Sequence, residues 1–256
     1  MLLQIKNLTV SLNDQHQRRA ILDAVSFDIQ AQSIVGLVGG SGSVKTTTGL
    51  AILRLLSSGL EIERGEILLN NQDLLKYSAA ALQQIRGKKI AMIFQEPLTA
   101  FNPVFTIGYQ IEEVLMLHNK LESIARKKKV IEILSQVGIK QPERIKESYP
   151  HQLSGGLRQR AMIAHALAGE PELLIADEPT SNLDVTVQAK IIELFKAIQL
   201  KNKLSILLIT HDLGMVGHLA DEIVVLRKGK VVEKGPCHQI LKTPQENYTQ
   251  ELLKAF

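Results

Sequence analysis

Short apolar runs alternate with stretches of helical spacing along most of this chain. Residues 173–176 and 205–209, apolar throughout except for Ser205 at the start of the second run, have the length and character of strands that are buried on both faces. Residues 185–200 instead repeat apolar positions every three or four residues, as a helix does, and residues 45–56 are also interpreted as a helix. Because strands that alternate with helices usually pair in parallel, the pattern predicts an α/β fold.

The rest of the chain extends this pattern and adds a separate helical segment. Residues 97–168 show mainly helical spacing, so they are interpreted as an insertion between strands of one sheet. The chain is accordingly predicted to form one domain over residues 1–256, with a core at 1–96 and 169–256. The other predicted elements are strands at 2–10, 25–29, 33–38, 67–69 and 90–94, a hairpin at 222–226 and 230–233, and helices at 107–117, 124–137, 144–148, 155–167 and 245–255.

Composition narrows the class of protein without choosing a ligand. With 45% hydrophobic and 22% charged residues, the chain resembles an ordinary globular domain. Its net charge of +4 suits phosphate ligands, an acidic membrane surface or nucleic acid equally well. The one cysteine, Cys237, forms no internal disulfide and fits a reducing compartment. No apolar run reaches the roughly 18 residues that span a bilayer, and the start lacks a signal-peptide core, so we expect a cytosolic chain.

A glycine-rich segment, GGSGSVKT at residues 39–46, connects the buried strand at 33–38 to the following helix. Small residues allow the backbone to wrap a polyphosphate, and the helix start adds partial positive charge. Lys45 is expected to reach the β- and γ-phosphates of a nucleotide, and the hydroxyl of Thr46 to ligate Mg²⁺. Val44 stands where the usual motif has glycine, so its β-branched side chain is expected to strain the loop or crowd the phosphates.

Polar residues also follow three other buried strands. Asp177 is expected to hold Mg²⁺ through water, and Glu178 to polarise the attacking water as a general base. His211 is expected to hydrogen-bond the γ-phosphate and to hold the water and Glu178 in place. Gln95 offers a neutral oxygen for Mg²⁺ at the point where the helical insertion departs. An isolated Asp-Glu pair or histidine is usually a plain loop feature, but here a buried strand precedes each of them.

The segment LSGGLRQR at residues 153–160 resembles the signature motif of ABC transporter nucleotide-binding subunits. The other segments follow that family's order. The phosphate loop is similar to Walker A, Gln95 to the Q-loop glutamine, residues 173–178 to Walker B, residues 181–184 to the D-loop, and His211 to the H-loop histidine. The resemblance covers nearly the whole chain. It implies a P-loop NTPase core with an N-terminal antiparallel β subdomain and an α-helical signature subdomain.

The same resemblance implies how ATP is held and hydrolysed. In this family two subunits pack head to tail, and the signature helix start of one closes over the ATP bound by the other. Catalysis is then assigned to Glu178, His211 and Lys45, and Mg²⁺ binding to Thr46, Gln95 and Asp177. The residues expected to bind ATP are Leu12, Gly39, Gly40, Ser41, Gly42, Ser43, Val44, Lys45, Thr46, Thr47, Gln95, Ser154, Gly155, Gly156, Gln159 and Asp184.

A narrower resemblance links the chain to importers of peptides and nickel. Residues 94–103, 183–189 and 247–253 are similar to segments of the ATPase subunits of those importers. Residues 157–164 resemble the first of the two ATPase subunits that such importers carry. The short chain with one cysteine looks more like the nickel-type subunit than like the longer peptide type.

The resemblance also implies partners and a location. They are a second ATPase subunit, identical or homologous, two transmembrane permease subunits and, indirectly, an extracytoplasmic substrate-binding protein; no nucleic acid is expected. The chain is expected to be peripheral on the cytoplasmic face of the inner membrane. Leu12 replaces the aromatic residue that often stacks on adenine, and Asn182 replaces a commoner alanine. Two alternatives stay open: an ABC ATPase that acts on ribosomes or DNA, and a half-site that binds ATP without turnover, which Val44 suggests.

Overall fold

The computed structural model describes residues 1–14, 17–40, 42, 44–96, 100–119 and 121–254. The chain divides into two units, the first made of Met1–Leu82 and Ser205–Phe256 and the second of Gln83–Leu204. The strands are β1 (Leu3–Asp14), β2 (Gln17–Ile29), β3 (Ile34–Val38), β4 (Leu60–Leu69), β5 (Gln72–Asp73), β6 (Ile90–Ile93), β7 (Leu173–Asp177), β8 (Ser205–Thr210), β9 (Glu222–Arg227) and β10 (Lys230–Pro236).

The α-helices and two short 3₁₀ helices lie between and after these strands. The α-helices are α1 (Lys45–Ile52), α2 (Ala79–Gln83), α3 (Ile107–His118), α4 (Ser123–Gln136), α5 (Pro142–Glu147), α6 (Gly155–Leu167), α7 (Val185–Asn202), α8 (Leu213–Leu219), α9 (Cys237–Lys242) and α10 (Asn247–Lys254), and the 3₁₀ helices are Leu74–Lys76 and Pro150–Gln152. Among the described residues, none of these helices combines the length and apolar character needed to cross a bilayer.

An antiparallel sheet in the order β2-β1-β4-β5 occupies the first unit. Leu3 of β1 lies opposite Ile29 of β2 on one side and Leu69 of β4 on the other. All three side chains are buried, so this sheet has an apolar face that faces the interior of the unit. The strands are longer than predicted; in β4, Leu60 and Ile62 alternate with two glutamates, but Arg64 and Gly65 interrupt the pattern before the predicted residues 67–69.

The parallel strands of the first unit carry the glycine-rich loop. Their order is β10-β9-β3-β8, and β3 runs parallel to both β9 and β8. Every residue of β3 and of β8 is buried, which explains their continuous apolar sequences. Polar side chains fix the entrance to β3: the Ile34 N–H donates to Asp221 Oδ2 at 2.8 Å, and the Gln32 N–H donates to Ser205 Oγ at 2.8 Å.

The second unit contains a parallel pair, β6 and β7, together with helices α3 to α7. A hydrogen bond joins the start of α3 to the segment that precedes residues 153–160: the Ile107 N–H donates to the Ser148 carbonyl at 2.9 Å. The helix α6 has the predicted bounds. Residues 97–168 belong to this unit, but so do β6, β7 and α7; the division into a core and a helical insertion therefore stays a prediction.

Several elements differ from the sequence prediction for local reasons. The helix α1 ends at Ile52 rather than at residue 56, and Arg54 just beyond it has a left-handed φ of 51° that no helix can continue through. The short helices α2, α8 and α9 were not predicted, since five to seven residues hold too few apolar repeats to show a period.

The hairpin between β9 and β10 turns as predicted and generates a first test. Gly229 at its tip has φ +80°, and a Cβ built there would lie 2.0 Å from the Ile21 carbonyl oxygen. We expect Gly229→Ala to lower the free energy of unfolding by about 1–3 kcal/mol. Alanine is strained at this positive φ, and the Ile21 carbonyl must move away from the added Cβ. Urea unfolding measures the loss.

The control for this variant is Gly235→Ala in β10 of the same hairpin. Its added Cβ would meet Ile240 at 3.5 Å, an ordinary van der Waals distance. Stability close to that of the parent is expected for Gly235→Ala. An equal loss in both variants would show that the close approach at Gly229 is not the cause.

A second test concerns His165 near the end of α6. Its ring packs edge-on against Phe101 with the centroids 5.8 Å apart, and burial lowers the pKa of His165 to about 4. Between the ordinary histidine pKa of about 6.5 and pH 4, the unfolded chain binds a proton that the folded chain does not. The free energy of unfolding should therefore fall as the pH drops through this window. In His165→Gln its slope against pH should be smaller, by an amount that corresponds to at most about one bound proton.

Urea unfolding at several pH values between 4 and 8 measures that slope. His238→Gln, at an exposed position, is the matched control and should leave the slope as it is in the parent. A slope that His165→Gln leaves unchanged would contradict the assignment.

Candidate functional site

The glycine-rich loop leaves the carboxyl end of β3 and enters α1, as predicted. Val38 ends the strand and Lys45 begins the helix. Of the loop, Ser41 and Ser43 lie outside the described residues. Gly42 has φ +74°, a left-handed conformation that glycine adopts without strain.

Lys45 folds its side chain back over the loop. It is 9% exposed, and its Nζ donates to the carbonyl oxygens of Gly39 at 2.8 Å and Gly40 at 3.3 Å. The ammonium group is thereby held at the loop rather than in solvent. A cation fixed at the start of a helix is the arrangement that binds a polyphosphate.

Val44 is the strained member of the loop. It caps α1 with φ 61° and ψ 33°, in the left-handed region that β-branched residues rarely occupy. Its side chain makes no capping hydrogen bond, and the first turn of α1 holds no acidic residue. The first turn of α1 thus adds no carboxylate of its own that would compete with an anion for the positive end of the helix.

His211 comes to the same strand edge as the loop. The parallel register pairs Val38 of β3 with Thr210 of β8, so the residues that follow, Gly39 and His211, leave neighbouring strands side by side. Asp212 then starts α8, because its Oδ1 accepts from the Met215 N–H at 2.9 Å. The turn that carries His211 is therefore fixed on both sides.

In the second unit, a matching register brings Gln95 and the carboxylates together. Ile93 of β6 pairs with Ala176 of β7, so two residues further on Gln95 lies beside Glu178. Asp177 is 2% exposed at the end of β7. Glu178 has φ 45°, a second strained backbone position among the predicted site residues.

A cavity of about 310 Å³ in the second unit joins several predicted residues. Gln95 and Glu178 line it, together with Gly155 and Gln159 from α6. Gln159 is 3% exposed, and its Nε2 has no hydrogen-bond partner among the described residues. A buried donor without a partner is costly, so this cavity suits water or an anionic oxygen.

The signature segment presents an open helix start. Ser154 caps α6 without a side-chain hydrogen bond to the helix, and both Ser154 and Gly155 are exposed. Arg158 fixes the turn before them, because its guanidinium donates to the carbonyls of Pro150 at 3.0 Å and Leu153 at 2.8 Å. Gly156 is packed closely, since a Cβ added there would lie only 2.9 Å from Val187 Cγ1. The N–H groups of this helix start are therefore held in place at the surface.

The segment 181–184 makes contacts that its sequence did not predict. Asp184 caps α7 by accepting from the Val187 N–H at 3.0 Å, so its carboxylate already has a structural role. Asn182 donates from Nδ2 to Glu96 Oε1 at 3.3 Å. An alanine, which the family more commonly has at position 182, has no side-chain donor to form this link to the residue after Gln95.

Two further positions complete the predicted set. Leu12 is half-buried on β1, where it lies opposite Arg19 and Leu60. Thr46 is exposed in the first turn of α1 and carries a hydroxyl, while Asp177 carries a carboxylate; both are oxygen ligands of the kind that Mg²⁺ prefers. Each of the two residues, Thr46 in the first unit and Asp177 in the second, thus has the ligand chemistry that magnesium needs.

Sequence reasoning missed one contact of the loop itself. The Gly40 N–H donates to the hydroxyl of Tyr248 in α10 at 2.8 Å. The signal was present, because Tyr248 lies in the segment 247–253 that resembles importer ATPases, but a resemblance does not say what a residue touches.

Comparison with known sequences gives one family and many similar proteins. A family model described as ABC transporter matches residues 22–181. The peptidoglycan transport ATP-binding protein YejF of Agrobacterium fabrum is 46% identical over 99% of this chain, which spans 47% of that protein. The dipeptide transport ATP-binding protein DppD of Escherichia coli is 42% identical over the whole chain, which spans 78% of that protein.

Solved structures give the same picture for the fold. The dimeric ATP-binding cassette MJ0796 in a post-hydrolysis state, bound to ADP and Pi, superposes with a TM-score of 0.82. The two chains are 28% identical, and the alignment covers 92% of this chain and 99% of the cassette. A second dimeric structure of the same bacterial ABC transporter cassette aligns equally well.

The strain at Val44 generates a third test. Val44→Gly should raise the free energy of unfolding by about 1 kcal/mol, because release from the left-handed region outweighs the greater freedom of glycine in the unfolded chain. It should also tighten ATP binding, since the side chain no longer crowds the loop. Chemical denaturation and titration calorimetry measure the two effects.

Val44→Ala separates the two causes. Alanine removes the β-branched methyl groups but keeps a Cβ in the left-handed conformation, so an intermediate stability is expected. Unchanged ATP affinity in Val44→Gly would refute the view that this residue weakens the site.

Proposed function

The chain belongs to the ABC transporter family, and from that premise we propose that it is the ATP-binding and ATP-hydrolysing subunit of a peptide importer. The predicted family and fold class are confirmed by the relatives and by the solved cassettes. Hydrolysis of ATP coupled to transport is the activity of this family, and the sequence prediction of an ATPase is confirmed at that level.

One observation carries the assignment of roles to individual residues. In each unit, a parallel register delivers predicted site residues to the carboxyl ends of adjacent strands: Gly39 with His211 in the first, and Gln95 with Glu178 in the second. Ligands of open α/β sheets bind at such strand ends. Four sequence segments that are far apart along the chain are thus arranged as two functional pairs.

In the first unit, the proposed task is to bind the phosphates. Lys45 neutralises the β- and γ-phosphates, and the N–H groups at the start of α1 donate to them. Thr46 would offer its hydroxyl to Mg²⁺, which when bound would neutralise the charge that develops on the transferring phosphoryl group. His211 holds the γ-phosphate by a hydrogen bond.

In the second unit, the proposed task is to activate water. Glu178 acts as the general base toward the attacking water. Gln95 and Asp177 would offer an amide oxygen and a carboxylate to Mg²⁺. Because the cavity that they line also includes Gln159 with its unpartnered amide, a water molecule there has both an acceptor and a donor to bind.

A second cassette is needed to complete the site. The exposed start of α6, at Ser154 and Gly155, is proposed to donate to the γ-phosphate of ATP held by a partner cassette, identical or homologous. The MJ0796 cassettes similar to this chain are dimeric. ATP binding then favours association, because only the closed dimer forms both sets of contacts.

An aromatic surface on the second unit is proposed to dock the permease subunits. Phe105 and Tyr109 stack with their ring centroids 4.7 Å apart, and they are 42% and 51% exposed. Tyr149, 38% exposed, follows Ser148, whose carbonyl accepts a hydrogen bond from the Ile107 N–H between Phe105 and Tyr109 in sequence. Exposed aromatic clusters mark interfaces, and short cytoplasmic helices of two permeases are the proposed occupants.

Peptides are the proposed cargo because the names of the similar proteins given above refer to peptidoglycan transport or dipeptide transport. The oligopeptide transport protein OppD of Bacillus subtilis, 44% identical, adds a third such name. The nickel-type refinement stays a prediction. The proposed location is the cytoplasmic face of the membrane, with an extracytoplasmic binding protein delivering the cargo.

A subunit that binds ATP without turning it over is the one competing function that a specific observation favours. That observation is the strained Val44 in the phosphate loop. Against it, Asp177, Glu178 and His211 are all present at the strand ends where hydrolysis requires them.

The general-base role of Glu178 generates a fourth test. Glu178→Gln keeps the size of the side chain and its hydrogen-bonding capacity but removes the base, so ATP should bind while hydrolysis falls by a factor of about 10²–10⁴. Because the ATP-bound state no longer decays, a closed cassette dimer should accumulate. Phosphate release and size-exclusion chromatography with MgATP measure the two effects in the assembled transporter and the full chain.

Glu172→Gln is the matched control at the opposite end of the same strand. Glu172 pairs with Lys89, and its backbone N–H donates to the Lys89 carbonyl, so it has a structural role. Its substitution should leave ATPase activity unchanged. Near-normal hydrolysis in Glu178→Gln would show that another base acts. If the parent chain itself bound ATP but did not hydrolyse it, the half-site alternative would be favoured.

A further inference from the structure

One peptide group in the phosphate loop is held from both of its ends. The carbonyl of Gly39 accepts from Lys45 Nζ at 2.8 Å, and the N–H of Gly40, which belongs to the same peptide, donates to the Tyr248 hydroxyl at 2.8 Å. The chain of hydrogen bonds therefore runs from the Lys45 ammonium through this peptide to the phenol oxygen. Groups linked in such a chain polarise one another and share one orientation.

Tyr248 is itself fixed in place. The guanidinium of Arg227, at the end of β9, lies 4.7 Å from the centre of the Tyr248 ring. A cation over an aromatic face attracts it, so Arg227 restrains the ring from the side. The next residue, Thr249, is 2% exposed, which anchors α10 in the first unit. The hydroxyl is thus a rigid support and not a mobile surface group.

Gly40 allows the hydroxyl to come this close. A Cβ at position 40 would lie 3.1 Å from the Tyr248 oxygen, nearer than most real Cβ contacts. A residue with a side chain here would push the ring or the loop aside. Gly40 and Tyr248 are therefore matched in shape as well as joined by a hydrogen bond.

We propose that Tyr248 is a positioning residue for nucleotide binding, which sets the orientation of the Gly39–Gly40 peptide and through it the Lys45 ammonium. This inference rests on the proposed function, because it assumes that Lys45 binds the phosphates of ATP. It adds a residue outside the motifs to the machinery that prepares the phosphate loop. It also makes α10 an element whose displacement changes nucleotide affinity.

Tyr248→Phe tests the proposal with the smallest change. Phenylalanine keeps the ring and its contact with Arg227 but loses the hydroxyl that accepts from Gly40. We expect the Kd for a fluorescent ATP analogue, measured with the full chain and MgCl₂, to rise by about two- to ten-fold. Amide exchange followed by NMR without nucleotide should show faster exchange at Gly40.

Tyr77→Phe is the matched control within the same unit. Tyr77 donates its hydroxyl to Gln72 Oε1 at 2.5 Å, so this variant also loses one tyrosine hydrogen bond, but far from the loop in sequence. Its nucleotide Kd should equal that of the parent. If Tyr77→Phe and Tyr248→Phe lowered affinity equally and in proportion to thermal stability, the role of Tyr248 would be merely structural and the proposal would be overturned.

A double-mutant cycle with Lys45→Ala identifies the route of the effect. If Tyr248 acts through Lys45, removing the hydroxyl should change the Kd much less in the Lys45→Ala background than in the parent. Additive effects of the two substitutions on the Kd would overturn the proposal. So would an unchanged Kd in Tyr248→Phe if Lys45→Ala weakened nucleotide binding. Parent-like binding by Lys45→Ala would instead overturn the proposed function on which the inference rests.

Discussion

Parallel pairing of buried strands is the constraint on which the rest of this structure depends. In a parallel pair the chain leaves both strands at the same edge, so the residues that follow are neighbours whatever their separation in sequence. Val38 opposite Thr210 therefore places the phosphate loop beside His211, although some 170 residues lie between them. Every residue of β3 and of β8 is buried, so a shift of this register by one residue would exchange the side chains that pack on the two faces; close packing on both faces therefore protects the alignment of the functional residues.

Two non-glycine residues of the predicted site, like several elsewhere in the chain, have a strained backbone conformation. Val44 and Glu178 both have positive φ, and neither is a residue type that tolerates it well. Each is held by its surroundings: Val44 between a glycine-rich turn and α1, and Glu178 by a turn in which Ser181 donates to its carbonyl at 3.1 Å. Strain of this kind aims a side chain or an N–H group at a ligand, and the packed strands beside it supply the stability that offsets the cost.

The sequence alone predicted the strands that are buried on both faces and the motifs at their ends, because an unbroken apolar run followed by a polar residue is a strong local signal. The prediction was right on the bounds of α6. It made β1, β2 and β4 too short, because charged residues near their ends interrupt the apolar pattern. It missed α2, α8 and α9 because they are shorter than two periods of a helix. The contact between Asn182 and Glu96 could not be predicted, since pairwise distances across loops leave no periodic pattern.

The residues that sequence reasoning missed have one property in common. They are not motif residues themselves, but their hydrogen bonds hold motif segments in place. Glu96 follows Gln95 and is bonded to the 181–184 segment, while Tyr248 holds the peptide to which Lys45 donates. Motif residues meet the same ligand in every member of a family, so their types vary little. Their supports meet only the rest of the chain, and many residue types can provide one hydrogen bond. Differences in nucleotide affinity between similar cassettes should therefore arise from these supporting contacts, which set how well an otherwise common loop is oriented before ATP arrives.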